Sequence, residues 1–463
     1  MEYIKNYKEL LSNISCTKCK RARKIVLDIL NIALEEANPR KALHKSLRKV
    51  GRKTIDIHGK KFRFKNLYLI GFGKASGGMA KAVEEILGED IDKGIVVVPE
   101  NLAYSYNLKY VKVIASSHPI PDERSIKAGN EIAKLVQEAC SEDLVLVLIS
   151  GGGSALVEIL RPQITLKELE QITNLLLKSG ASIKEINTVR KHLSLFKGGW
   201  LAKRIYPATT VSLIISDVVG DPVEFIASGP TAPDTTTFKD ALRVMEKYNL
   251  IDKASENVIE LFKKGVKGEV IETPKPLDKV FKNVHNFVIA SNKESLMKAA
   301  KYAKEKIGLN VLLLTSRIRG EARHVGTVLA SILEETYKDG FLLKKPFLLL
   351  AGGETTVTVT GKGKGGRNQE LALSAAKIIN GLDGVAFASI GSDGIDGVTE
   401  VAGGLVDAHT VERVGKENLS IDSALKDNDS YTIFKVLKDY IYTGPTGTNV
   451  NDFMVGVVLN EES

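Results

Sequence analysis

Residues 144–156 read LVLVLISGGGSAL. The first six, Leu144–Ile149, are apolar without a polar face, too short for a helix and too continuous for a half-exposed strand. A strand buried on both faces of a parallel sheet has this character. Three glycines follow, Gly151, Gly152 and Gly153, and then Ser154 leads into a helical pattern. One glycine suffices for a strand-to-helix turn. Three in succession expose consecutive backbone N–H groups, and the loop is expected to cradle a phosphate or carboxylate.

The same run-then-turn pattern recurs on both sides, at Leu67–Ile70, Ile95–Val98, Val111–Ala115 and Val211–Ile215. Intervening helical segments such as Ser125–Cys140 supply the crossovers of a doubly wound, Rossmann-like sheet. A charged stretch from Asp252 to Asp278, carrying Pro274 and Pro276, marks a boundary. Beyond it a second strand series is expected at Phe287–Ala290, Val311–Leu314, Phe347–Leu350, Val385–Ile390 and Met454–Leu459. The alternating Thr355–Thr360 predicts a more exposed antiparallel strand. The fold class is therefore α/β in two domains. A larger Rossmann-like parallel-sheet domain over 1–278 opens with amphipathic helices, and a smaller α/β domain with a mixed sheet covers 279–463.

Composition agrees with a folded two-domain chain. The sequence has 463 residues, 43% hydrophobic and 26% charged, more than one core usually supports. No apolar run approaches the roughly 18 residues that cross a bilayer, and no secretory signal is visible at the start. Three cysteines give no disulfide framework, so a cytoplasmic location is expected. Cys16 and Cys19 form a C-x-x-C without a second such pair or paired histidines, and read as ordinary cysteines. The net charge of +9 is concentrated early: residues 1–65 carry 18 Lys/Arg against six Asp/Glu. Those charges alternate with Ile25, Ile29 and Ile32 at helical spacing, which describes a solvated helix face rather than a nucleic-acid surface.

The chemistry-bearing residues follow strands, where open α/β sheets collect ligands. Gly71-Phe72-Gly73-Lys74 opens a helix and places a cation, Lys74, in a loop whose N–H groups should already attract anions. The third glycine of a dinucleotide fingerprint is replaced by Ser76. Ser117 and His118 follow the next strand, and His118 reads equally as a ligand contact or a turn residue. Arg190 lies in the basic stretch 187–192. Asp217 follows a buried strand and is a candidate for Mg²⁺ or for a catalytic base. In the second half, Gly352-Gly353-Glu354-Thr355-Thr356 follows a strand, and Arg367 begins a helix, where a cation opposes the macrodipole. A contact to phosphoryl oxygens explains Arg367 better. Asp393 and Asn449 sit in further glycine-rich loops. Phosphate clamps, cations and hard-metal ligands together describe phosphoryl transfer, and no feature among them names the acceptor.

Taken in order, GFGKASGGMA (71–80), SSHPIPDE (116–123), ISGGGSALVE (149–158), INTVRKHLS (186–194), ISDVVGDP (215–222), IASGPTAPD (226–234), AGGETTVTVTGKGKGGRNQELAL (351–373), GSDGIDG (391–397) and TGPTGTNVNDF (443–453) resemble the glycerate 2-kinases of the MOFRL family. The resemblance covers nearly the whole chain. It implies a MOFRL-type C-terminal domain, an active site in a cleft between the domains, and ATP-dependent conversion of D-glycerate to 2-phosphoglycerate with Mg²⁺ or another divalent cation, a step of carbohydrate metabolism. The family's basic pair falls on Lys74 and Arg367, and its acidic and polar positions on Asp217, Glu354, Asp393 and Asn449. On this reading Lys74, Arg367 and Asp217 are catalytic. Gly73, Ser117, His118, Gly151–Ser154, Arg190, Gly353, Thr356 and Asn449 bind substrate or phosphate. Glu354 and Asp393, with Asp217 as a third choice, hold the metal. The partners expected are glycerate and ATP, with no nucleic acid and no membrane, and a homo-oligomer is left open. Two other readings compete: an NAD(P)H-dependent hydroxypyruvate reductase, a label family members have carried, and a non-catalytic anion-binding protein.

Overall fold

The computed structural model describes residues 3–340 and 343–460. It divides into two compact units. One is continuous, Ala42–Ile289; the other joins the chain up to Lys41 with everything from Ala290 onward.

The continuous unit opens with an antiparallel meander, β1 (Leu47–Gly51), β2 (Thr54–Ile57) and β3 (Lys60–Arg63), which buries Ile55, Ile57 and Phe62. Its main sheet holds β4 (Leu67–Phe72), β5 (Lys93–Pro99), β6 (Val111–Ser116), β7 (Leu144–Ile149), β8 (Thr209–Ile215) and β9 (Val284–Ala290). The strand order is β6-β5-β4-β7-β8-β9, which in order of appearance is the 3-2-1-4-5-6 of the doubly wound dinucleotide-type sheet. All pairings from β4 to β8 are parallel. Every residue of β4 and β7 is buried, as continuous apolar runs require. The crossover before β7 is the helix Glu123–Val136, whose cap Asp122 accepts from Arg124 N and is itself bonded by Ser125. The sheet order reverses between β4 and β7, so the loops leaving these two strands flank the switch point.

The second unit carries a mixed sheet of β10 (Asn310–Ile318), β11 (Phe347–Gly353), β12 (Val385–Gly391), β13 (Gly403–Asp407), β14 (Tyr440–Ile441) and β15 (Asp452–Val458), in the order β10-β11-β15-β12-β13-β14. β10 and β11 run parallel, and β15 is antiparallel to both β11 and β12. Phe347, Leu349 and Ala351 pack toward the helices Ala322–Lys338 and Arg367–Ile378. The long helix Thr17–Glu36 packs on β12 and β15 beside the helix Asn292–Tyr302.

Three expectations need correction. The division at 278/279 fails at both ends. β9 completes the first sheet, and the opening helices join the second unit. The cause of the latter is visible at Arg23, fully buried on Thr17–Glu36. Its guanidinium bonds Asp439 at 2.7 and 3.0 Å, Leu10 O at 3.0 Å, and Asp407. A buried arginine needs such partners, and both carboxylates lie in the C-terminal sequence. Residues 355–360 form no strand beyond a single bridge at Thr356. Their amides are taken by side chains instead, Thr358 N by the Glu321 carboxylate and Thr360 N by Asn428 Oδ1.

Candidate functional site

In the continuous unit three predicted residues converge on one loop. A methyl group at Gly151 would lie 1.8 Å from Asp217 Oδ2, so only glycine lets that carboxylate rest against the loop. At Gly152, with φ of +83°, the same test meets the His118 ring at 2.9 Å and Lys74 Cγ at 3.3 Å. Lys74, His118 and Asp217, separated by up to some 140 positions in sequence, thus share the turn after β7. The loops are laced together: Lys74 N donates to Gly151 O at 2.8 Å, and Ala75 N to Ser150 Oγ at 3.0 Å. Ser116 Oγ, at the end of β6, donates to Leu156 O at 2.8 Å and so holds Ser117 and His118 near the same turn.

The amides behave differently in the two glycine loops. Around Gly73 they are spent inside the protein, since Ser76 N also bonds Gly73 O at 3.2 Å. The expected backbone cradle at residues 73–76 is therefore absent, and attraction for anions there rests on the Lys74 ammonium. The Gly151 and Gly152 amides find no acceptor among the described residues. Behind this loop stands Arg190. Its Nη2 donates to Ser154 O at 3.2 Å, and Ser154 Oγ meets Ser228 Oγ at 2.7 Å, which in turn donates to Asn187 Oδ1 at 3.2 Å. Arg190 and Asn187 lie one turn apart on the helix Ile183–Leu193. Arg190 positions the loop from behind, and burial lowers its pKa. Burial, and then the Lys74 charge, pull the His118 imidazole down to about 4, so it is neutral near pH 7.

The second unit gathers its own set at one sheet end. The register pairs both Gly353 and Gly391 with Asp452, so the ends of β11 and β12 flank the start of β15. Glu354 follows Gly353, and Asp393 lies two residues beyond Gly391. Arg367, at the first position of its helix, spans this row: Nε and Nη2 bond the two oxygens of Asp452 at 2.6 and 3.0 Å, and Nη1 bonds Glu354 Oε1 at 2.9 Å. Burial pushes the fully enclosed Asp452 carboxyl up to about 7, against the Arg367 guanidinium, which favours the anion. The helix start that Arg367 burdens is capped from outside by buried Asp396, which accepts from Asn368 N at 3.0 Å and Gln369 N at 2.9 Å. Arg367 thus has a structural explanation after all.

The remaining candidates are spread along the same loops. Asp393 Oδ1 accepts from Ile395 N at 3.1 Å, and Asn449 Oδ1 from Asn451 N at 3.1 Å, each shaping its own turn. Val450 N bonds Ser392 Oγ at 2.8 Å and ties those turns together. Thr356 is exposed and fastens its segment to Gly320 O at 2.9 Å, a local role. Sequence reasoning missed Asp452 and Asp396 as partners of the Arg367 helix. The signal for Asp452 was a carboxylate immediately before the apolar run 453–459.

Comparison with known proteins bears on the whole chain. A domain of unknown function, DUF4147, matches residues 25–263, and the MOFRL family matches 347–452. A glycerate 2-kinase of Pyrococcus horikoshii is 44% identical over 95% of this chain and 98% of its own length. A D-glycerate 2-kinase of Thermotoga maritima is 41% identical over 94% and 98%. The solved structure of a glycerate kinase from the same bacterium aligns with a TM-score of 0.84, covering 94% of this chain and 99% of that one. A relative from Agrobacterium vitis, 38% identical over 93% of each, bears the name putative hydroxypyruvate reductase.

Proposed function

Because the chain belongs to the MOFRL family of glycerate 2-kinases, we propose that it transfers the γ-phosphoryl group of ATP to the 2-hydroxyl of D-glycerate. The observation that carries this reading is the match to glycerate 2-kinases over nearly the full length of both chains. The geometry of each unit supports the roles proposed below.

Phosphoryl transfer asks a protein for positioning and charge neutralisation more than for covalent chemistry. Lys74 and the Gly151 and Gly152 amides hold an anionic group, the glycerate carboxylate or the transferring phosphoryl. Asp217, held at van der Waals distance from Gly151, takes the proton of the attacking hydroxyl. Neutral His118, against the same turn, offers a hydrogen bond without adding charge. Arg367, fixed by Asp452, neutralises charge developing on the γ-phosphate. Glu354 and Asp393 offer the hard oxygen donors that suit Mg²⁺. Mg²⁺ is commonly held by one or two carboxylates together with phosphate oxygens and water. When bound, Mg²⁺ supplies charge neutralisation on the phosphates.

A reductase would want the third fingerprint glycine for close helix–strand packing. Ser76 stands there, buried, its Oγ donating to Gly73 O at 2.7 Å and Val97 O at 3.0 Å. Phosphorus NMR of the product from glycerate, ATP and Mg²⁺ tests the proposal. A 2-phosphoglycerate resonance is expected; 3-phosphoglycerate alone, or ATP-independent oxidation of NADH by hydroxypyruvate, overturns it.

A further inference from the structure

Cys16 and Cys19 lack a second ligand pair in sequence, but folding brings one to them. The two thiols lie 2.8 Å apart at the start of the helix Thr17–Glu36, and Cys16, its cap, accepts from Cys19 N at 3.2 Å. Asp383 sits in the turn before β12 and His409 just after β13. These strands are antiparallel neighbours with Ala386 opposite Asp407, so the two residues emerge at the same sheet end. Gly381 N, bonded to Ala408 O at 2.8 Å, closes the turn onto the second strand. One ligand atom from each of the four residues lies within 4.8 Å of all the others.

We propose that Cys16, Cys19, Asp383 and His409 form a structural Zn²⁺ site that fastens the N-terminal helix to the C-terminal sheet. Two sulfurs, an imidazole and a carboxylate are a tetrahedral zinc ligand set. The second observation is the His409 ring. Its Nε2 is buried and 3.0 Å from Asp383 Oδ1, yet makes no aligned hydrogen bond. The ring belongs to the same cluster as both sulfurs, and a neutral imidazole has a nitrogen lone pair to give. Its other nitrogen, Nδ1, lies 3.4 Å from Glu412 Oε2, the outer carboxylate that orients metal-bound histidines. The backbone is set as well, His409 N donating to Asp407 Oδ1 at 2.8 Å.

Around an ion the thiolates would stand about 3.8 Å apart, given Zn–S bonds of about 2.3 Å at a tetrahedral angle. Binding therefore spreads the two sulfurs by roughly 1 Å, within rotamer adjustment of two cysteines. Both thiols bind as thiolates and release their protons to solvent. With one carboxylate and a neutral imidazole the site keeps a single negative charge. It lies at the N-terminus of a 20-residue helix, where negative charge is favoured.

The test uses the full chain, reduced, without a metal-binding tag. Zinc content by plasma mass spectrometry is expected at one ion per chain. Co²⁺ added to zinc-stripped protein should give thiolate-to-cobalt charge-transfer absorption and tetrahedral d–d bands. Cys16→Ser/Cys19→Ser and His409→Gln should each lower metal content at least tenfold, while Cys140→Ser keeps it. Wild-type protein that takes up neither ion overturns the proposal without recourse to variants. So does a Cys16–Cys19 disulfide that persists with zinc and reductant present, or a double variant that binds as the wild type does.

Discussion

Lys74 and Arg367 are both cations at the end of a sheet, yet their surroundings are opposite. Among the described residues Lys74 forms no ion pair within 4 Å, and it shares its glycine turn with an uncharged histidine and the Asp217 carboxylate. Arg367 donates three hydrogen bonds to two carboxylates, one of them fully buried. A cation without a partner contributes nothing to the fold that water would not give it, so its charge is available to a ligand. A clamped one contributes to both stability and ligand binding, and mutation mixes the two.

Substitutions at the two cations put the contrast to the test. Lys74→Ala is expected to lower kcat/KM about 10³-fold, some 4 kcal/mol of transition-state stabilisation, with the melting temperature unchanged. Arg367→Ala should match that loss and also destabilise the protein by about 3 kcal/mol, because it strands the buried Asp452 carboxylate. Equal melting temperatures for the two variants, by calorimetry, would show the contrast to be false. Arg367→Lys separates the two roles: it keeps a charge beside Asp452 but not the fork, so folding should persist with turnover down about 10²-fold.

Smaller effects probe the turn between the β4 and β7 ends. Gly151→Ala places a methyl where Asp217 now lies and should cost turnover about 10-fold or more through displacement of that carboxylate. The smallest effect concerns His118. Its folded pKa, about 4, lies below the ordinary 6.5, so between those values the unfolded chain binds a proton that the native one refuses. Stability therefore falls as pH drops from 6.5 toward 4. His118→Asn should flatten the melting-temperature profile in that window alone, which a pH series of thermal melts checks.

What could be read from sequence follows which interactions are local. Leu144–Ile149 announced itself because a strand buried on both faces needs no knowledge of its neighbours. The three glycines beside it were legible because the steric demand is written in the residue. Thr355–Thr360 misled because alternation predicts exposure on one side, not a partner strand, and the partners turned out to be Glu321 and Asn428. Asp452 was overlooked because its meaning comes from Arg367, 85 positions away. Asp396 caps a helix that begins 29 residues before it, which no local rule anticipates. The C-x-x-C gained its two companions the same way, from the far end of the chain.

Arg23 gives the chain a history as well as a shape. It is made early, and the carboxylates that neutralise it, Asp407 and Asp439, come 384 and 416 residues later. At ribosomal rates of about 5–20 residues per second, the helix carrying it waits roughly 20–80 seconds for those partners. The unit from Ala42 to Ile289 has meanwhile been synthesised whole and is free to fold. The helix Thr17–Glu36 must stay hydrated until β12 and β15 give it a sheet to settle on. A ribosome that stalls short of Asp439 would leave one finished unit and, ahead of it, a basic leader with nowhere to dock.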